Sequence, residues 1–250
     1  MKSLHISVAA EKITSILGFP VTNSLLTSLI VMALLIVIAF KVNFQKTQKK
    51  KSKRSTLYLI FEMIIGGFYG FFKNIAGERT DQLFPLLMTL FLFIVFGNWI
   101  GLLPGVGSIG FYEHTVHGEV FVPLFRGPNA DLNTTIALSL ISVSVTQYLS
   151  IKAHGIKGYI SRFINFTNPI KAFVGILELI SEFAKILSFS FRLFGNIFAG
   201  EVLLMVMIFL IPVLVPIPFL ALEIFVGFIQ ALVFTMLTTI FVVVATEKHE

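Results

Sequence analysis

Five stretches of this chain, residues 21–40, 82–112, 132–151, 202–222 and 224–246, contain no charged side chain. Each equals or exceeds the roughly 20 apolar residues that a helix needs to cross hydrocarbon. A water-soluble fold needs polar surface to cover its core, and a chain that is 56% hydrophobic and 13% charged does not supply it. The bilayer is the solvent, and the spans read as helices. A sixth apolar run, 172–191, carries Glu178, Glu182 and Lys185.

Charge in such a chain records orientation more than binding. The net charge is +6, but the basic residues sit in loops, so nucleic acid is not the expected partner. The segment 41–56 holds Lys41, Lys46, Lys49, Lys50, Lys51, Lys53 and Arg54 and no acid. The positive-inside rule puts it in the cytoplasm and the amino terminus outside. The loop from Lys152 to Lys171 is likewise basic without acids, whereas the segment holding Glu113, Glu119 and Arg126 falls on the outer side. The run from Lys46 to Arg54 reads as an orientation and lipid-binding element. The first residues, MKSLHISVAAEK, lack the compact apolar region of a cleavable signal peptide, so the mature chain is expected to start there.

The resulting map is a single all-α integral membrane domain. It has an external amino terminus (1–20), a first span (21–40), the basic loop (41–56), an interfacial amphipathic helix (57–77), a two-helix hairpin with an external loop (82–151) and a last hairpin (171–246). That makes five membrane-crossing helices plus one interfacial helix. The interfacial reading of 57–77, with a sixth span as the alternative, rests on its mixture of aromatic and aliphatic residues with Glu62, Lys73 and several glycines. The breaker cluster Pro104, Gly105, Gly107 and Gly110 ends the helix that begins near Gln82. Trp99 reads as an anchor at the outer interface. From Lys171 to Ile211 there is no proline; a helix of that length is about 60 Å long against about 30 Å of hydrocarbon. It has to tilt strongly. Pro212, Pro216 and Pro218 turn the chain, and residues 219–246 return, forming a long inclined hairpin.

Around the first helix of that hairpin, at about 100° per residue, Glu178, Ser181, Lys185, Ser188, Arg192, Asn196 and Ala199 fall within about 40° of Arg192. Glu201 falls on the opposite side. On the return helix Glu223 and Gln230 share a face, and Glu201 and Glu223 flank the proline turn closely enough to meet. Arg192 lies in FSFRLFGNIF, apolar on both sides. An intramembrane arginine costs roughly 2.5–3.5 kcal/mol or more, so it needs water or a partner. Snorkelling, or a pair with Glu178 or Glu201, is one reading. Glu178 is about 21 Å away along the axis, however, and Glu201 faces the wrong way. A carboxylate on a neighbouring subunit suits a cation that never deprotonates better.

RLFGNIFAGE (192–201) resembles the signature of the subunit a family of F-type ATP synthases. PNADLNTTIAL (128–138), FGNWIGLLPG (96–105), the position of Glu178 and IQALVFTMLT (229–238) extend that resemblance over most of the chain after residue 80. It implies a membrane-embedded stator in the Fo sector that works with a ring of c subunits, the b-subunit peripheral stalk, the whole F1Fo complex and membrane lipids. It implies no cofactor and no catalysis by this chain itself. Arg192 would be the stator charge separating two aqueous half-channels, through which protons or Na+ reach and leave the ring carboxylates. Glu201, Glu223, Asn196 and Gln230 are expected in the external half-channel, with interhelical hydrogen bonds as the alternative role. Glu178 and Ser181 are expected in the cytoplasmic half-channel, with a salt bridge from Glu178 to Lys185 or an interfacial position as the alternatives. Asp131 is read either as a helix cap or as part of the outer vestibule.

Other chemistry has little support in the residues. The chain has no cysteine, which excludes disulfides and thiolate sites. His114 and His117 are two possible ligands without a third, so no metal site is assigned. A secondary transporter would show internal pseudo-symmetry and a polar substrate pocket, and a membrane enzyme would show a cluster of acids or histidines at one face. Neither is visible. With no targeting segment, the expected location is a bacterial plasma membrane with the carboxyl terminus in the cytoplasm.

Overall fold

The computed structural model describes residues 7–16, 18–47, 56–115, 118–164, 169–211 and 214–247. The basic run from Lys49 to Arg54, His117 and Pro212 lie outside them. Most of the described residues are helical, and among them five apolar stretches are long enough to cross a bilayer, as in an all-α integral membrane protein. Its elements are β1 (Lys12–Ile16), β2 (Phe19–Thr22), α1 (Asn23–Thr47), α2 (Thr56–Ala76), α3 (Thr80–Gly101), β3 (Gly110–Thr115), β4 (Gly118–Pro123), α4 (Leu132–Phe163), α5 (Pro169–Leu210) and α6 (Pro216–Thr246).

The core lies where α3, α4, α5 and α6 meet. Met88, Phe91, Ile94 and Val95 of α3 pack with Leu138 of α4, Phe189, Leu193 and Ile197 of α5, and Ala231 and Phe234 of α6. Hydrocarbon supplies no hydrophobic drive between helices, so close packing and interhelical hydrogen bonds have to hold them. The sequence provides both through small polar residues spaced three or four apart on α4. The hydroxyls of Ser139 and Ser190 lie 2.6 Å apart, those of Ser142 and Thr238 lie 2.8 Å apart, and Ser150 donates to the Ala245 carbonyl at 2.8 Å.

α2 buries little of its surface and leaves apolar Leu59, Ile60, Met63 and Phe71 exposed beside its polar residues. Phe72 and Ala76 are buried while Glu62, Gly66, Gly70 and Lys73 are exposed. It folds back along α3 after a 3-10 turn at Gly77–Arg79, with Phe68 4.2 Å from Phe91 between ring centroids and Tyr69 5.2 Å from Phe84. α1 is peripheral: only 11% of its apolar window is buried, leaving Leu29, Ile30, Ile36 and Val37 for lipid.

Three features differ from the sequence expectations. The segment expected as an external loop is a β-hairpin, with Tyr112 paired with Phe121 across β3 and β4, and the amino-terminal segment forms a second hairpin from β1 and β2. Alternating aromatic and β-branched residues in 110–123 favour strands, but the charges in this segment drew the reading towards a loop. The basic segment after residue 151 also stays helical to Phe163. α4 only kinks at Gly155, whose φ of 73° is one that glycine adopts without a Cβ penalty.

α5 is one helix of 42 residues, about 63 Å long. α6 runs for 31 residues, about 46 Å, and opens with Pro216 and Pro218 in its first turn, where missing amide donors cost nothing. The hairpins and the α5–α6 turn share one end of the molecule. The α2–α3 turn, the α4 kink and the carboxyl end share the other, where Arg79 donates to the Thr246 carbonyl at 2.9 Å and His154 Nε2 lies 3.1 Å from the Glu247 carbonyl.

Candidate ion path along the α5–α6 hairpin

The centre of the site is an exposed polar stripe on α5. Ser181, Ser188, Arg192, Asn196 and Ala199 are all exposed, while Phe189, Leu193, Ile197 and Gly200 turn inward. The helix therefore buries one apolar face against α3, α4 and α6 and presents the arginine on the other. Arg192 donates to the Ser188 hydroxyl at 3.2 Å, one turn away, and makes no ion pair among the described residues. Neither Glu178 nor Glu201 serves as its partner. Gln230 of α6 meets Arg192 at a cleft of about 10 Å³, also lined by Phe189, Leu193 and Phe234, about the space one water needs.

The four residues expected to gather in an outer channel fall in three places. Gln230 is beside Arg192, and Asn196 is on the exposed face one turn further along α5. Glu223 is buried on α6 and packs against Gly200, where any Cβ would overlap its carboxylate. Glu201, the next residue, turns instead towards Arg126, with Nε 3.5 Å from Oε2. Glycine at 200 thus lets the two acids approach the hairpin turn from different helices.

Arg126 is the residue that sequence reasoning missed. It is 6% exposed and carries a fixed charge, so it needs several partners to be tolerated there. It donates to the carbonyls of Ala9 at 2.8 Å and Ser7 at 2.9 Å, lies 5.8 Å from the Phe198 ring centroid, and its amide donates to Thr27 at 3.3 Å. One side chain thereby links the amino-terminal segment, the β4–α4 connection and Glu201. Its signal was an arginine five residues before a helix-opening aspartate, and nothing local marks that as special.

Asp131 is the cap of α4. Its carboxylate accepts from the Asn133 amide at 3.1 Å and from the Ser24 hydroxyl of α1 at 2.6 Å, and it is 5% exposed. Nearby, Asn129 donates to Asn98 at 2.7 Å and Asn98 donates to the Gly227 carbonyl at 2.9 Å, tying α3 to α6. Trp99 is partly exposed and donates to the Ile224 carbonyl at 3.1 Å, which fastens its position as well as leaving a face for the interface.

At the other end Glu178 and Ser181 line a cavity of about 540 Å³ with Arg162, Val174, Leu177, Glu182 and Lys185. The pairing differs from the one considered from sequence. Lys185 pairs with Glu182 at 2.7 Å, and Glu178 pairs with Arg162, because α4 continues helically past its kink and brings Arg162 alongside α5. Glu182 also accepts from Gln147 of α4, which in turn accepts from Tyr159 at 2.9 Å.

A family model described as ATP synthase A chain matches residues 25–243. ATP synthase subunit a of Gloeobacter violaceus is 37% identical, with 91% of this chain and 85% of that protein covered. The subunit of the same name from Desulforamulus reducens is 32% identical over 93% of this chain and 82% of its own length. That from Desulfotalea psychrophila is 39% identical over 75% and 70%.

Proposed function

This chain belongs to the ATP synthase A chain family, and from that membership we propose that it forms the two half-channels through which ions reach and leave a ring of c subunits. Membership makes it a membrane component of the ATP synthase with a part in ion transport. Arg192 is the stator charge: a permanent cation facing sideways attracts an ionised carboxylate arriving on a neighbouring helix and blocks a direct leak between the channels. The observation that carries this reading is the exposed stripe of α5, with Arg192 unpaired by any acid among the described residues.

Glu201, Glu223 and Asn196 line the outer half-channel, and Gln230 stands where that channel reaches Arg192. Glu178 and Ser181 line the inner one. The amino terminus faces outward, the carboxyl terminus faces the cytoplasm, and a bacterial plasma membrane holds the complex. The b-subunit stalk and soluble ATPase head complete the machine, and this chain catalyses nothing by itself. The membrane potential supplies about 2.3 kcal/mol per charge per 100 mV, so an uncoupled leak is costly to the cell.

The test is ATP-driven pumping and passive ion flux in vesicles carrying the whole complex, native against Arg192→Ala at matched assembly. Loss of pumping with a raised leak is expected. Coupled pumping at the native rate would overturn the reading.

A further inference from the structure

We propose that Glu182 is a second ion-relay carboxylate, passing protons between the Arg192 face and the inner cavity. This rests on the half-channel reading above and adds to it a residue outside the polar stripe. Glu182 is about 80° around α5 from Arg192, so helical periodicity alone does not select it. The fold does, by packing α4 against that side of α5.

The two acids of the cavity are held differently. Glu178 is paired with Arg162, whose guanidinium is a permanent cation. Glu182 is paired with Lys185, a flexible amine whose ammonium also lies 4.9 Å from the Phe241 ring centroid of α6. Its second oxygen accepts from Gln147 of α4. Glu182 is also nearer the arginine, ten residues away, about 15 Å along the axis, against about 21 Å for Glu178. Ser188, bonded to Arg192, and Lys185, bonded to Glu182, are three residues apart on the same side of the helix. Polar groups therefore continue from the arginine to the cavity.

In the step, a protonated ring carboxyl at the Arg192 face releases its proton to water and is ionised, and one Glu182 carboxylate oxygen accepts that proton from the water chain and becomes a neutral carboxyl. Lys185 stays against the Phe241 ring, and the pair of Arg162 with Glu178 is unchanged. The proton then leaves to water in the cavity and Glu182 is again ionised. The charged and titratable groups facing Glu182 are Lys185 and Glu178 on α5 and Tyr159 and Arg162 on α4; α6 contributes the Phe241 ring.

The experiment uses vesicles with the complete complex, pumping read by a pH-sensitive dye, normalised to assembled complex and followed over a pH series. Glu182→Gln is expected to slow pumping by about a hundredfold, the low end of what one positioned acid–base group contributes. Glu182→Asp is expected to restore part of it. Gln147→Leu leaves the carboxylate in place but removes one of its hydrogen-bond donors, so the pH profile of pumping is expected to move away from the native one. If Glu182→Gln does not assemble, the Gln147→Leu profile decides. A purely structural role would lower assembly and leave the pH profile of Gln147→Leu unmoved, which overturns the proposal, as do native rates in Glu182→Gln. Arg192→Ala in the same series separates the two ideas: pumping lost there but retained in Glu182→Gln sinks the relay alone, whereas pumping retained in Arg192→Ala sinks the half-channel reading with it.

Discussion

At the scale of single residues, the charges in this molecule are governed by what surrounds them. Arg126 and Arg192 have the same side chain and opposite circumstances. Arg126 is buried and supplied with two carbonyls and a carboxylate, while Arg192 is exposed on α5 with one serine. The first has several partners within the chain, and the second pairs with no acid among the described residues. Asp131 shows the same logic for an acid, since both the α4 amide and the Ser24 hydroxyl donate to it. Asp131→Ala is expected to cost about 1–2 kcal/mol, a cap's worth, with Asp131→Asn losing less. Unfolding in detergent measures this. A role in the vestibule alone would instead reduce pumping at unchanged stability. The polar stripe containing Arg192 was legible in the sequence because helical periodicity is local. The Arg126–Glu201 and Arg162–Glu178 pairs were not, because each joins different elements whose crossing no local pattern encodes.

Among elements, α4 does most to arrange the others. Its serines and threonine at 139, 142, 146 and 150 are all buried at spacings of three or four, which lets α5 and α6 come close and bond to it. Ser139→Leu fills that seam and is expected to destabilise by about 1–3 kcal/mol through overpacking. Ser139→Ala, which removes one interhelical hydrogen bond, is expected to cost about 0.6 kcal/mol. Thermal denaturation of the purified complex distinguishes the two. The kink at Gly155 matters equally, because the helix beyond it delivers Arg162 to the cavity on α5 and Tyr159 to Gln147. The basic composition of 152–171 gave the orientation signal and concealed a helix within it, since charge counting carries no information about backbone conformation.

Over the whole molecule, the five apolar stretches and the two ends set an arrangement that can be tested directly. The chain has no cysteine, so a single thiol at an exposed position reports the side it faces. Val8→Cys and Phe19→Cys, at positions 62% and 77% exposed, are expected to react with an impermeant thiol reagent added outside intact cells. Glu247→Cys is expected to react only after the membrane is opened. Reversed labelling would overturn the proposed orientation, though not the family. The sequence by itself determined that the chain lives in a membrane, roughly where its helices lie, and which face of α5 carries the arginine. These follow from apolar length, breaker residues and a repeat of 3.6, all properties of neighbours along the chain. Only the tertiary structure decided that Glu201 faces Arg126, that Glu223 fits against Gly200, that Gln230 joins Arg192 and that Glu182 shares a cavity with Glu178 and Arg162. Those contacts depend on how long helices cross, and crossing is settled by packing and hydrogen bonding between distant segments.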